Sequence, residues 1–137
     1  MRKLLALSLL LPGLALAQTT ATAWAITHAP AAAAQATISK AAAVNVRHVA
    51  TSITVCLGAT AAQTSLQFNL LDGATGAGTV LWTVRLAGAA NTNQCVTSGP
   101  VFISGSPNTA MTLESSAAPA ATNFATVSLS GFENSGG

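Results

Sequence analysis

The feature that most constrains this chain is a two-residue alternation of larger, mostly β-branched side chains with small ones. It is clearest over residues 49–57, where Val, Thr, Ile, Val and Leu alternate with Ala, Ser, Thr and Cys. Successive side chains of a β-strand point to opposite faces of the sheet, and β-branched residues favour strands. The segment therefore predicts a long strand with one buried face.

The same alternation returns along most of the remaining chain. Strand-like segments recur with turn signals between them, at residues 66–70, 80–86, 95–97, 101–103, 111–114 and 124–132, and residues 36–40 can add a short first strand. Outside the N-terminus, no segment has the period of an amphipathic helix. About seven or eight strands at this spacing predict an all-β fold: a single antiparallel β-sandwich, jelly-roll or Ig-like. Phe68 and Trp82 fall on apolar faces, which places them in the predicted core.

The N-terminus has the three-part pattern of a secretory signal peptide. Arg2 and Lys3 precede an apolar stretch from Leu4 to Leu11, and the small residues Ala15 and Ala17 stand just before Gln18. This pattern predicts a signal peptide over residues 1–17, with an N-terminal anchor or buried helix as the alternative. The apolar stretch is shorter than the about 20 residues that span a bilayer. We therefore expect a secreted or periplasmic protein without a stable membrane anchor.

The rest of the chain divides into three parts. Residues 18–35 are rich in Ala and Thr and lack an amphipathic period, which predicts a flexible arm, with a short Ala helix as the alternative. Residues 36–132 form the predicted sandwich domain, and residues 133–137 a short C-terminal tail. Trp24, alone in the arm, is expected to dock on its own domain.

The chain contains two cysteines, Cys56 and Cys95. An even number of cysteines in an exported protein indicates a disulfide, because the compartment is oxidising. Two unpaired thiols are the alternative, since sequence spacing alone does not prove that the residues meet. The sequence therefore predicts one disulfide, between Cys56 and Cys95.

Charge is balanced once the predicted signal peptide is removed. The cations that remain are Lys40, Arg47 and Arg85, and the anions are Asp72, Glu114 and Glu133, so the net charge is 3 − 3 = 0. Nucleic-acid binding requires a cationic surface, and polybasic membrane binding requires clustered Lys and Arg. The sequence has neither. Low charge also favours self-association.

The sequence shows no recognisable catalytic, cofactor-binding or metal-binding motif. A His48–Asp72 pair with a serine nucleophile can be drawn, but no nucleophile-elbow or zinc-protease motif accompanies it. His48 alone is typical of a strand residue near a sheet edge. The Asp72 loop offers few oxygens for calcium, and its glycines are explained by a tight hairpin. We therefore predict no catalytic residues, no cofactor and no metal.

Four segments carry a family resemblance: residues 47–49, 70–82, 108–114 and 127–132. Through these turn and strand patterns the chain resembles small uncharacterised β-sandwich proteins encoded by tailed phages and bacteria, over roughly residues 36–132. The resemblance implies a virion-accessory or surface structural role, and it implies no functional residues.

These observations favour a non-enzymatic exported structural or adhesive module that acts through surface contacts. Its expected partner is a protein, a cell surface or a second copy of the chain. The alternative is a self-assembling subunit of the pilin or filament kind. A small carbohydrate-binding module or hydrolase is the third hypothesis.

Overall fold

The computed structural model describes residues 21–135, and the regular secondary structure in this range is all β. The predicted signal peptide, residues 1–17, lies outside the described residues. The strands are β1 (Thr22–His28), β2 (Thr37–Lys40), β3 (Val46–Ala59), β4 (Gln63–Asp72), β5 (Thr79–Gly88), β6 (Thr92–Ser98), β7 (Ile103–Ser104), β8 (Met111–Ser115) and β9 (Phe124–Ser135). Over the described range, no helix is long and apolar enough to cross a membrane.

The strands form two antiparallel sheets packed face to face, so the predicted all-β sandwich is confirmed. Sheet A has the order β1-β9-β3-β6, with β7 also paired to β3, and sheet B has the order β2-β8-β4-β5. In an Ig-like domain the first two strands share a sheet, whereas β1 and β2 here lie in different sheets. If β6 and β7 are counted as one interrupted strand beside β3, each sheet has four strands. This is the winding of a jelly roll.

The core lies between the sheets and follows the predicted alternation closely. Its fully buried members include Ile53, Val55, Phe68, Leu113 and Val127, each with no exposed surface. Trp82 faces inward and packs against this core as a partly buried side chain. The polar alternates on β9, such as Ser128, point outward.

The segment predicted as a flexible arm contains strand β1 instead. Thr22–His28 pairs with β9 and forms one edge of sheet A. Trp24 and Ile26 point inward and pack on the core, while the outward positions are Ala and Thr. A strand with only two large apolar residues has almost no periodic signal, and its stability comes from pairing with β9. The predicted tail also begins too early, because β9 continues through Ser135.

Two β-bulges reverse the predicted side-chain phase in the first part of β3 and at the start of β5. In β3 the register shifts between Ala50 and Ser52, so His48 and Ala50 face inward before the shift and Ile53 faces inward after it. A bulge adds one residue and so exchanges the two faces of a strand. The second shift, between Leu70 and Leu71, pairs Val80 with Leu71 and leaves Val80 50% exposed.

Candidate functional site

The predicted disulfide joins Cys56 on β3 to Cys95 on β6. The two residues are direct register partners across this strand pair. They belong to the outward-facing set of β3 and β6, where Cys56 is half-buried and Cys95 is exposed. The bond therefore holds an edge strand to the central part of sheet A from the solvent side and adds nothing to the core.

The outer face of sheet A is lined with hydroxyl groups, and we call it the hydroxyl face. It consists of Thr27, Ser52, Thr54, Thr97, Thr126, Ser128 and Ser130. One row crosses all four main strands, with Thr27, Ser128, Thr54 and Thr97 side by side. Its hydroxyls are linked in pairs, at 2.5 Å between Thr27 and Ser128 and 3.0 Å between Thr54 and Thr97.

The hydroxyl face carries no charged residue in the rows from Ser52 to Cys56. A shallow cavity of about 180 Å³ lies on it, lined by β1, β3 and β9 residues. At the far end of β3, the ring of Phe124 covers Gly58, where any side chain would collide with it. Phe124 is itself 42% exposed. The result is a neutral polar surface, bordered at one end by an aromatic ring.

Each of the three carboxylates in the described residues accepts a hydrogen bond from a group of the same chain. Glu133 on sheet A forms an ion pair with Lys40 on sheet B, with 2.7 Å between Oε1 and Nζ. This hydrogen bond to Lys40 holds the pKa of Glu133 below its ordinary value, and His48 lowers it further. Asp72 accepts hydrogen bonds from the backbone N–H and the hydroxyl of Ser106.

His48 is a buried residue of a central strand, and the expectation that it lies near a sheet edge is wrong. Only 1% of it is exposed, because the bulge in β3 turns it inward. Its Nε2 lies 2.9 Å from the carbonyl oxygen of Ala41 and therefore donates to it. The rings of Trp24 and His48 are nearly perpendicular, at 88°, with 6.3 Å between their centroids.

His48 and Asp72, the pair considered for a catalytic triad, form no hydrogen bond with each other. The Nε2 of His48 is bonded to Ala41, and the Asp72 carboxylate is occupied by Ser106. His28, the other histidine, lies on β1, where its Nδ1 accepts the backbone N–H of Thr37 at 3.2 Å. Within residues 21–135, no group of three or more His, Cys, Asp or Glu side chains could hold a metal ion.

A second cavity lies on the outer face of sheet B, and we call it the Glu114 pocket. It has a volume of about 300 Å³ and is lined by Leu71, Val80, Ser116 and the loop residues Gly76–Gly78, among others. The β4–β5 loop folds over this face, since Thr112 Oγ1 donates to the Gly73 carbonyl at 2.8 Å. Glu114 is thereby only 4% exposed.

The sequence does not reveal the Glu114 pocket. Glu114 stands on the polar side of an alternating strand, which predicts a solvated side chain. Its burial depends on where the glycine-rich loop comes to rest, which is a tertiary property. The hydroxyl face is partly predictable, because Thr126, Ser128 and Ser130 share one side of the last predicted strand.

Comparisons with known proteins give little similarity. No family model matches the chain, and no curated protein matches it, so the resemblance to phage-encoded proteins gains no support. One solved structure, titled "Bacillus endospore appendages form a novel family of disulfide-linked pili", aligns with 93% of this chain and 98% of that chain. The TM-score is 0.41 and the sequence identity 16%. Similarity at this level carries no inference about the function of this chain.

Proposed function

We propose that the protein is an exported, non-enzymatic structural or adhesive module that acts through contacts of the hydroxyl face. The observation that carries this proposal is the charge-free row of four hydroxyl side chains, Thr27, Ser128, Thr54 and Thr97, across sheet A. Such a surface can be covered by a partner without the large cost of desolvating a charge.

Export is part of the proposal and has two supports. The first is the signal-peptide pattern of residues 1–17. The second is the disulfide between Cys56 and Cys95, because disulfides persist in oxidising compartments and are rare in the cytosol.

The second candidate is a self-assembling subunit of the pilin kind. It is favoured by the charge balance: the described residues contain three cations and three anions, and each anion is bonded within its own chain. A molecule with so little net charge has little electrostatic repulsion between copies. The carbohydrate-binding hypothesis has less support, since Phe68 is fully buried and Trp82 packs on the core.

The test places one charge in the centre of the hydroxyl face. Thr54→Lys puts an ammonium group in the row between Ser128 and Thr97, where a covering partner would have to desolvate it. Ala118→Lys is the matched control, because it adds the same charge to an exposed loop residue between β8 and β9. Size-exclusion chromatography measures assembly of the purified protein, and immunoblotting measures the fraction retained on the producing cells.

Assembly of the wild type that Thr54→Lys abolishes and Ala118→Lys leaves intact supports the self-assembling subunit. A monomeric wild type that stays on the cell surface, with Thr54→Lys released into the medium, supports the adhesive module. A wild type that is monomeric and freely released, or variants that behave alike, would contradict a role for the hydroxyl face.

A further inference from the structure

The Glu114 pocket contains a buried carboxylate that forms no ion pair with any side chain of residues 21–135. Both Glu114 oxygens lie near one donor, the backbone N–H of Gly76, at 3.1 Å and 3.3 Å. Side chains of this type are almost never fully buried unless they are paired. A single long hydrogen bond from a backbone amide leaves most of the acceptor capacity of this carboxylate unused.

The cations of the described residues do not supply the missing charge. Lys40 is the one lysine in residues 21–135, and its Nζ is bonded to Glu133. Arg85, on the same outer face as Glu114, donates from Nε to the Gln67 side chain at 3.1 Å. Arg47 lies on sheet A, paired with Asn134. No cationic side chain of residues 21–135 therefore balances the charge of Glu114.

The walls of the pocket indicate which kind of cation fits. Leu71, Ala77 and Val80 supply apolar walls, and Ser116 is a further polar residue of the lining. A calcium ion requires 6–8 oxygen ligands, whereas the Asn69 oxygen beside the pocket already accepts from Gln67 and Thr83. One carboxylate balances one unit charge, and an apolar wall suits an aliphatic stem.

We propose that the Glu114 pocket binds a primary aliphatic ammonium group. The ammonium nitrogen sits against the Glu114 carboxylate, and the stem lies along Leu71, Ala77 and Val80. The group can belong to a lysine side chain presented by another protein or to a free alkylamine. This site is on sheet B, on the opposite side of the sandwich from the hydroxyl face, and it does not depend on the function proposed for that face.

The test follows the amide signals of the ¹⁵N-labelled protein by NMR during titration with n-butylamine. The Gly76 amide donates to Glu114, so its signal should shift in a saturable way, together with that of Gly78 in the pocket wall. N-butylacetamide, which has the same stem without a charge, is the ligand control. Calcium chloride is titrated separately, because a shift with calcium and none with the amine would overturn the proposal.

Two variants locate the site. Glu114→Gln keeps an oxygen to accept from Gly76 but removes the charge, and we expect binding to weaken by at least about 10-fold, as for loss of a charged hydrogen-bond partner. Ala77→Leu keeps the carboxylate and fills the exposed rim of the pocket, with the same expected loss. Glu133→Gln removes a carboxylate of sheet A, outside the pocket, and should bind like the wild type.

Titration with Nα-acetyl-lysine methylamide distinguishes the two sources of the ammonium group, a lysine side chain of a protein and a free alkylamine. Tighter binding than n-butylamine identifies a lysine side chain in a polypeptide as the ligand, and weaker binding identifies a free amine. The proposal fails if n-butylamine gives no saturable shift, if N-butylacetamide binds equally well, or if Glu114→Gln and Ala77→Leu both bind like the wild type.

Discussion

At the level of single residues, apolar and polar side chains are buried for different reasons. Ile53, Phe68 and Leu113 are buried where alternation puts them. His48 and Glu114 are equally hidden, but one is turned inward by a bulge and the other is covered by a loop. Neither cause can be read from local spacing, because both depend on how distant segments meet.

The ion pair between Lys40 and Glu133 gives the fold a pH dependence of known sign. Lys40 lowers the pKa of Glu133 in the folded protein below its ordinary value of 4.5. The unfolded chain therefore binds this proton more readily than the folded chain. The stabilisation by the pair is complete above pH 4.5 and is lost as the pH falls through the folded-state pKa.

Urea unfolding at a series of pH values between neutral and strongly acidic measures this effect. We expect Glu133→Gln to remove part of the loss of stability on acidification and to change little else. Lys40→Met should have the same effect on the slope, because it removes the cause of the shift. A wild type and a Glu133→Gln variant with parallel pH profiles would show that the pair does not contribute.

At the level of elements, the central strands of sheet A can be predicted from sequence, whereas its edge strand β1 cannot. The central strands β3 and β9 have strong alternation because both of their neighbours and the core fix their faces. Strand β1 has one neighbour, and four of its seven residues are Ala or Thr. Its pairing with β9 therefore stabilises a segment whose own composition is that of a flexible arm.

Hydrogen exchange tests whether β1 is a strand. Amides of Thr22–His28 that donate to β9 should be protected, while those directed away from β9 exchange quickly, giving alternate protection along the segment. Residues 41–44, a loop without strand pairing, provide the unprotected reference. Uniformly fast exchange from residue 22 to residue 28 would mean that this segment is a flexible arm and not a strand.

At the level of the whole molecule, the sequence predicts a sandwich but not its winding. The jelly roll is defined by pairs that are distant in sequence, such as β1 with β9 and β3 with β9. A predicted number of seven or eight strands is compatible with both a jelly-roll and an Ig-like arrangement. The choice is made by which strands share a sheet, and this information is not local.

The disulfide should raise the stability of the entire fold. Cys56 and Cys95 are 39 residues apart, and closing a loop of this size contributes about 2–4 kcal/mol by restricting the unfolded chain. Cys56→Ser with Cys95→Ser should lower the free energy of unfolding by this amount, measured with urea. The bond lies on the outward side, so the serines leave no cavity in the core.

The neighbouring register pair provides the control. Thr54→Ala with Thr97→Ala changes the adjacent row of the same two strands and should cost far less than the cysteine substitutions. Equal losses in the two double variants would mean that the strand surface, and not the covalent bond, is responsible.

The same bond determines how the molecule responds to being pulled. Once force on the two chain ends has separated the strands, tension passes from Cys56 to Cys95 through the sulfur atoms, and the residues between them carry none of it. That shielded segment contains β4 and β5, which are half of sheet B. At about 3.4 Å per extended residue, the 39-residue separation withholds about 130 Å of contour length. A layer built from such molecules would therefore reach its full extension only after reduction of the bond.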